Sequence, residues 1–244
     1  MTVYCISASN IKHAGVDSTS LKICHLVKEI MAESEPQLKV EVLPLVDYEL
    51  KPCIGCGKCY GKGRCIDDPT FNQLYECLTT ADALFVVSAH YAPIPAKLTM
   101  LLEKMEQLAF LPRFNNEANK SPLYQRPVGI IAHGGGTEEI IKGYAGVVIN
   151  TIVNALSWPI EMNIIGAGEE WPRGIAIPVK LVRKDINSIF PVQEYDWLDI
   201  KERIKPLVNN VMMELGKCSS SSSERGAQAI LNQVPINRVK WQSG

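Results

Sequence analysis

Four cysteines within a short run carry the clearest chemical signal in the sequence. The chain has 8 cysteines among 244 residues, and four of them fall between positions 53 and 65 in a C-x2-C-x2-C-x5-C pattern. Cysteines three positions apart on a turning backbone can direct their sulfurs at one centre. An iron–sulfur cubane needs this arrangement, because each of its irons takes one thiolate. We therefore predict that Cys53, Cys56, Cys59 and Cys65 bind a [4Fe–4S] cluster.

The residues around these cysteines suit an anionic cluster. Glycines allow positive φ and a close approach of the backbone, so that amide N–H groups can point at the cluster sulfurs. Four thiolates on a cubane leave a net negative charge, which nearby cations would offset. The glycines are Gly55, Gly57, Gly61 and Gly63, and the cations are Lys51, Lys58, Lys62 and Arg64.

Three other interpretations of the cysteines stay open. Pairs of the form C-x2-C bind zinc, although zinc knuckles usually separate their two pairs widely. Disulfides are disfavoured because three of the four cysteines lie too close together for unstrained bridges. A loop of free thiols without a metal is the simplest alternative.

Composition limits the class of protein. A chain of 244 residues with 46% hydrophobic content can bury one sizeable core. A net charge of −1 gives no argument for a nucleic acid or an anionic membrane as partner. We find no apolar run long enough to span a bilayer and no signal peptide, so we predict no membrane segment. The other cysteines are scattered singly, as in a reduced cytosolic protein, which predicts a cytoplasmic location.

The chain alternates strand-like and helix-like segments. The stretch 83–88 is a continuous apolar run, typical of a strand covered on both faces. This β-α-β order predicts an α/β fold with a doubly wound parallel sheet. The other predicted strands are 2–7, 39–43, 128–132 and 160–165, and the predicted helices are 18–33, 70–79, 97–107, 138–156 and 197–215.

Three segments fall outside this alternation. Residues 110–126 contain two prolines and three asparagines with little periodicity, which predicts a long loop. Residues 166–184 form a second insertion, and both insertions are candidates for a substrate pocket or a subunit interface. The run of five serines at 219–223 predicts a linker, so we divide the chain into a domain at 1–217 and a Ser-rich linker with a C-terminal tail at 218–244.

The loop after the first strand is a candidate phosphate site. In a doubly wound sheet, ligands bind outside the carboxyl ends of the strands. Hydroxyl groups, backbone N–H groups and a helix dipole together suit a phosphate dianion. An N-capped helix after a polar loop is the simpler interpretation. Neither a G-x-G-x-x-G nor a Walker sequence is present, which disfavours a dinucleotide fold or a P-loop. The candidate residues are Ser7, Ser9, Asn10, Ser18, Thr19 and Ser20.

Two later loops also follow predicted strands. His90 and Tyr91 precede two prolines, and an aromatic side chain beside prolines can form a flat wall for a planar heterocycle. An ordinary connection ended by proline is the alternative, and a lone histidine is more often a packing residue than a catalyst. The third loop begins His133-Gly134-Gly135-Gly136-Thr137, where three glycines let the backbone approach a ligand closely.

The cysteine loop, the apolar strand after it and the Tyr91 loop together resemble the iron–sulfur flavoproteins, within the flavodoxin-like NAD(P)H-dependent FMN reductases. The resemblance covers roughly residues 2–165. It implies a flavodoxin-like, five-stranded sheet of order 2-1-3-4-5. It also implies a homodimer or homotetramer in which the cluster of one subunit lies near the flavin of a neighbour.

The resemblance further implies FMN as a cofactor. The FMN phosphate is expected on the first loop, and the isoalloxazine ring is expected against the other two. His90 and Tyr91 are the nearest candidates for a catalytic hydrogen-bond or proton donor. The expected FMN contacts are Ser7, Ser9, Asn10, Ser18, Thr19 and Ser20 on the first loop, His90, Tyr91, Ala92 and Ile94 on the second, and His133, Gly134, Gly135, Gly136 and Thr137 on the third.

Three functions follow from these cofactors. FMN exchanges one or two electrons and a cubane passes one, so the pair predicts an oxidoreductase that moves electrons between a carrier, either ferredoxin or NAD(P)H, and a small molecule. The second function is a cluster-free NAD(P)H-dependent FMN or quinone reductase. The third is a non-enzymatic, redox-sensing flavin-binding module.

Overall fold

A parallel β-sheet forms the centre of the protein. The computed structural model describes residues 1–10, 18–116, 118–184 and 192–225. Five strands lie in the order β2-β1-β3-β4-β5, which confirms the flavodoxin-like order expected from the sequence. These strands are β1 (Thr2–Ala8), β2 (Lys39–Pro44), β3 (Ala83–Ala89), β4 (Pro127–His133) and β5 (Asn163–Ile165).

The sheet has a sixth strand in the described part of the chain, which corrects the expected count of five. This strand, β6 (Ile175–Ala176), pairs in parallel with the end of β4, whereas β5 pairs with its beginning. Gly174 lets the chain return to the sheet: its φ is +149°, and a Cβ there would lie 2.5 Å from the carbonyl oxygen of Ile130. The segment 166–184, predicted as an insertion, therefore completes the edge of the sheet.

Helices cover both faces of this sheet, as the predicted three-layer architecture requires. On one face, α1 (Thr19–Ser34) and α7 (Trp197–Arg225) pack against β1, β3 and β4. On the other face lie α3 (Pro69–Thr79), α4 (Ala96–Asn115) and a helical segment at 138–157. The cysteine loop contains one further turn, α2 (Cys59–Lys62).

Strand β3 is buried along its whole length, which confirms the prediction of a strand covered on both faces. Because side chains alternate along a strand, Leu84 and Val86 join the core under α3 and α4. Phe85 and Val87 join the second core, under α1 and α7. The sheet is thus fixed from both sides.

Two helices are longer than predicted. Helix α4 continues to Asn115, so the predicted loop at 110–126 begins later; Pro112 lies in the last turns of that helix. Helix α7 continues through the serine run to Arg225, so the backbone of residues 219–223 is helical. Residues 226–244 lie outside the described part of the chain, and the domain boundary at 217 stays a prediction.

The helical segment after β4 consists of α5 (Glu138–Tyr144), a π-helical turn (Ala145–Ile149) and α6 (Asn150–Ser157). Contrary to the sequence analysis, this segment of 20 residues is long and apolar enough to cross a bilayer by length and composition. A core helix of a soluble protein passes the same test. Its side chains Ile141, Val148 and Ile152 belong to the core below the sheet.

A two-stranded hairpin that the sequence analysis did not predict lies beside the sheet. It consists of β7 (Leu181–Arg183) and β8 (Val192–Glu194), which pair antiparallel. Residues 185–191, between these strands, are outside the described part of the chain. The hairpin leads directly to Tyr195, whose position is described below.

Candidate functional site

The carboxyl edge of the sheet brings the three predicted loops together. Strand register places Ala8 opposite Ser88, and Ala89 opposite His133. The backbone N–H of His90 donates to the carbonyl oxygen of His133 at 2.8 Å, so the second and third loops are joined directly. The three loops that carry the predicted FMN residues therefore lie along one edge, where ligands of open α/β sheets bind.

Ser20 and His133 tie the first loop to the third inside the core. The Oγ atom of Ser20 lies 2.7 Å from Nε2 of His133 and 3.3 Å from the carbonyl oxygen of Ala8. Ser20 is fully buried, and His133 is 5% exposed. The Ser20 side chain thus holds α1 against the end of β4, which is a different role from the phosphate contact predicted for it.

Burial lowers the pKa of His133 to about 4. We expect the free energy of unfolding to decrease by on the order of 3 kcal/mol as the pH falls from about 6.5 to about 4. In this pH range the histidine binds a proton in the unfolded chain, whereas folded His133 stays neutral, so a fall in pH favours the unfolded state. Above about pH 6.5 His133 is neutral in both states, and this loss of stability disappears. Urea unfolding at a series of pH values measures this slope.

A matched pair of variants separates His133 from the other groups that titrate in this range. The His133→Asn variant should lose most of the slope, whereas His25→Asn should keep it, because His25 is exposed on α1. An equal slope in wild type and His133→Asn would show that His133 is not the group responsible.

The glycine loop has the backbone geometry that its sequence predicted. Gly134 and Gly135 have φ values of +155° and +83°. A Cβ on Gly134 would lie 2.7 Å from Cβ of His90, so the two loops approach more closely than a side chain would allow. The hydroxyl of Tyr144 donates to the carbonyl oxygen of Gly134 at 3.0 Å, and its ring stacks on His90 at 5.2 Å.

Tyr195 and Gln193 also belong to this site, and the sequence analysis missed both. A Cβ on Gly135 would lie 2.2 Å from Nε2 of Gln193, so Gln193 covers the glycine loop. The hydroxyl of Tyr195 donates to Oε1 of Gln193 at 3.0 Å. Burial raises the pKa of Tyr195 to about 12, although hydrogen bonds from Thr19 and from the backbone of Gly135 oppose this change. Tyr195 thus connects the predicted phosphate loop with the glycine loop.

The remaining predicted FMN residues differ in accessibility. Among those that a ligand can reach, Tyr91 is 37% exposed, and His90 and Ala92 are exposed beside it. Asn10 and Thr137 are exposed, and Ser18, Thr19 and Gly135 are half-buried. Residues 11–17 of the first loop lie outside the described part of the chain. The buried members of the set are Ser7, Ser9, Ile94 and Gly136.

The four cysteines line one cavity of about 540 Å³ beside α3 and α4. Burial raises the pKa of the Cys59 thiol, and negative charge on Cys56, Cys53 and Cys65 raises it further. Of the four cations predicted around the thiols, only Lys51 lines the cavity; Lys104 also lines it, but its charge is paired with Asp68. Three glycines of the loop have positive φ, as its sequence indicated: Gly55, Gly57 and Gly63.

No group of three or more metal-ligating side chains converges on one point within the described residues. This finding does not favour the zinc interpretation, because a zinc site gathers four ligands around a single ion. In a cubane the four thiolates bind four different irons, so their sulfurs stand around a larger body. The four thiols line one cavity, with Cys53 and Cys56 exposed, and among the described residues they are not gathered into a formed metal site.

Contacts of Asp68 and Asn72 fix the two ends of the cysteine loop beside this cavity. Asp68 and Lys104 form a buried ion pair, and they are only 1% and 4% exposed. Asp68 also accepts hydrogen bonds from the backbone N–H groups of Lys51 and Phe71, each at 2.9 Å, and thereby caps α3. The Asn72 side chain makes two hydrogen bonds to the backbone of Cys65. The ends of the cysteine loop are therefore anchored to α3 and α4.

Fold and site together define a flavodoxin-like α/β protein with a ligand site at the carboxyl edge of its sheet. The family model "NADPH-dependent FMN reductase" matches residues 1–155, which is more than half of the chain. The chain therefore belongs to the NADPH-dependent FMN reductase family and is a flavin-dependent oxidoreductase.

One curated relative is an iron–sulfur flavoprotein of Methanocaldococcus jannaschii. It is 33% identical over 87 residues, which are 34% of this chain and 44% of the relative. The match thus spans less than half the length of that protein. Because the match is partial, the activity and cofactors of the relative are not carried over to this chain.

Solved structures with low sequence identity share the fold. RosB, with bound 8-demethyl-8-formylriboflavin-5'-phosphate, has a TM-score of 0.53 at 13% identity, covering 100% of this chain and 92% of RosB. An FMN-dependent NADH-azoreductase of Bacillus anthracis in complex with FMN has a TM-score of 0.52 at 12% identity, covering 90% and 99% of the two chains. At this identity the likeness concerns the fold alone.

Proposed function

We propose that this protein is an FMN- and [4Fe–4S]-dependent oxidoreductase that transfers electrons between a carrier, ferredoxin or NAD(P)H, and a small-molecule substrate. The observation that carries the cluster is the set of four cysteines around one cavity with Lys51 and Lys104 in its wall. The family match and the joined loops at the sheet edge support FMN.

The residues at the sheet edge fit a flavin nucleotide. The phosphate would be bound by N–H groups in the first turn of α1, which no side chain of its N-cap residue Ser18 caps. The loops at 90–94 and 133–137 would hold the ring system, since Gly134 and Gly135 let the backbone approach a flat ligand. Within the first loop, the buried Ser20 hydroxyl positions the helix through its contact with His133.

When bound, FMN supplies one- and two-electron chemistry and the cluster supplies one-electron transfer. The protein's part is to position these groups and to control protons and water. Tyr195 remains protonated at neutral pH because its pKa is about 12, so its hydroxyl can donate a hydrogen bond. His133 remains neutral at that pH and keeps the first and third loops together. Exposed His90 and Tyr91 are the proposed donors on the solvent side.

Several features of the whole protein belong to the same proposal. We propose that residues 1–217 form the FMN-binding domain, that residues 218–244 form a tail, and that the chain assembles as a homodimer or homotetramer. We also propose a cytoplasmic location, no nucleic-acid partner and no membrane partner.

Anaerobic purification tests the proposed cofactors. The protein is expected to be brown, with flavin bands over a broad absorbance, and to contain both iron and FMN. Protein with FMN but with iron near zero would reject the cluster and leave the cluster-free FMN or quinone reductase. Bound FMN that no physiological reductant reduces in turnover would favour the redox-sensing module.

The glycine loop gives a direct test of the FMN site. We expect Gly134→Ala to weaken FMN binding by about tenfold or more, because its Cβ would lie 2.7 Å from Cβ of His90 and would separate the two loops. Gly143→Ala is the matched control, since a Cβ there meets nothing within 4 Å. Fluorescence titration with FMN measures both affinities. Equal affinities in the two variants would place FMN elsewhere.

A further inference from the structure

A second cavity of about 630 Å³ lies between the cysteine loop, the end of α4 and the turn after α6. Four aromatic rings and one arginine line it: Tyr60, Phe110, Arg113, Phe114 and Trp158. We call this the aromatic cavity. Its volume falls in the range of small-molecule pockets. Among the described residues, this cavity is distinct from the flavin loops, none of which contributes to its lining.

The rings of the aromatic cavity form two edge-to-face pairs along its wall. Tyr60 and Phe114 meet edge to face at 5.7 Å, and Phe110 and Trp158 do so at 6.2 Å. Phe114 is 66% exposed and Trp158 is 57% exposed, which is costly for such large apolar side chains unless something covers them. The faces and edges of these rings would suit a flat aromatic molecule.

The charge beside these rings is positive. The guanidinium of Arg113 lies 4.4 Å from the centre of the Trp158 ring and forms an ion pair with Glu161. Lys120 lies 3.6 Å from the same carboxylate. Two cations thus share one anion among the described side chains, which leaves a net positive charge. The guanidinium of Arg113 is planar and stays charged, so its outer N–H groups are the donors that an anionic ligand would meet.

We infer that the aromatic cavity binds a planar aromatic anion, such as an aromatic carboxylate or sulfonate. Stacking on the rings would bind the flat body, and Arg113 would bind the anionic group, since arginine combines charge with donors in a plane. The site adjoins the cysteine loop, because Tyr60 follows Cys59 directly and lines both cavities. The inference does not depend on the proposed cluster, because none of its contacts involves a cysteine.

Anthraquinone-2-sulfonate is a suitable probe, since it is planar, aromatic and anionic. Titration into FMN-saturated protein, followed by calorimetry, should show binding to a site that FMN does not occupy. We expect Phe114→Ala and Trp158→Leu each to weaken this binding by roughly tenfold. Both side chains are exposed, so the variants should remain folded. Arg113→Gln should weaken binding of the sulfonate more than binding of neutral 2-hydroxymethylanthraquinone.

Leu198→Ala is the matched control, because Leu198 is an exposed apolar residue outside the lining of the cavity. Unchanged binding in the three cavity variants, or equal weakening in Leu198→Ala, would overturn the inference. So would a change of oligomeric state in Phe114→Ala on sedimentation, because the rings would then belong to an interface with a second copy. The Cys56→Ser/Cys59→Ser protein should still bind the probe, which separates this result from the proposed function.

Discussion

Replacing Cys56 and Cys59 together with serine is expected to lower the iron content from about four atoms per chain to near zero, while FMN stays bound. The reason is that each cluster iron needs a thiolate, and these two cysteines lie at the centre of the loop that lines the 540 Å³ cavity. Electron transfer to a one-electron acceptor should be lost with the iron. Iron analysis and the visible spectrum of anaerobically purified protein measure the first effect.

Cys77→Ser is the control for this experiment. Cys77 is an exposed free cysteine on α3, outside the cysteine loop, so its removal should change neither iron content nor activity. If the double variant kept the iron content and activity of the wild type, the cysteine loop would not be the cluster site. If the wild type itself lacked iron while reducing quinones, the cluster-free reductase would be the better description.

Replacing Lys104 with methionine is expected to lower the free energy of unfolding by about 3–5 kcal/mol, the largest stability effect of any single change considered. Burial alone would raise the pKa of Asp68, but Lys104 and the N–H groups of Lys51 and Phe71 hold it below its ordinary value. Removing Lys104 would leave a buried carboxylate without its countercharge. Chemical denaturation of the metal-free protein measures the loss.

Two further variants make this result specific. Lys39→Met removes the surface ion pair between Lys39 and Glu41, which are 67% and 38% exposed. This variant should lower the free energy of unfolding by less than about 1 kcal/mol. Asp68→Asn combined with Lys104→Met should recover part of the stability, because no buried charge is then left unpaired. If Lys104→Met and Lys39→Met cost the same, the Asp68–Lys104 pair would not be the anchor of this cavity.

The arrangement of the sheet was predictable from the sequence because its strands are continuous apolar runs. Strand β3 needs burial on both faces, and only a central strand of a layered sheet offers that. The order of the strands came from the family resemblance, and the structure confirms it. Strand β6 was not predictable, because two residues after a long excursion carry no periodic signal.

The candidate site was predictable where its residues lie in a local pattern. The glycines at 134–136 and the cysteines at 53–65 are grouped in sequence, and each group lies together in the fold. Tyr195 and Gln193 were missed because they reach the site from a hairpin far along the chain, through contacts that no local spacing reports.

The role of Ser20 shows a different limit. A serine at the start of a helix is equally compatible with a phosphate contact, a helix cap or a buried hydrogen bond. The partner decides between them, and here that partner is His133, 113 positions away. The Asp68–Lys104 pair was hidden in the same way, since Asp68 lies at the start of α3 and Lys104 in the middle of α4, 36 positions further along the chain.

Electron paramagnetic resonance of the anaerobically purified, dithionite-reduced protein, combined with iron and flavin counts, tests the central claim most directly. We predict about four irons and one FMN per chain, with the signal of a reduced [4Fe–4S] cluster that disappears in Cys56→Ser/Cys59→Ser. FMN-loaded protein without iron and without that signal would contradict the assignment of Cys53, Cys56, Cys59 and Cys65 as cluster ligands.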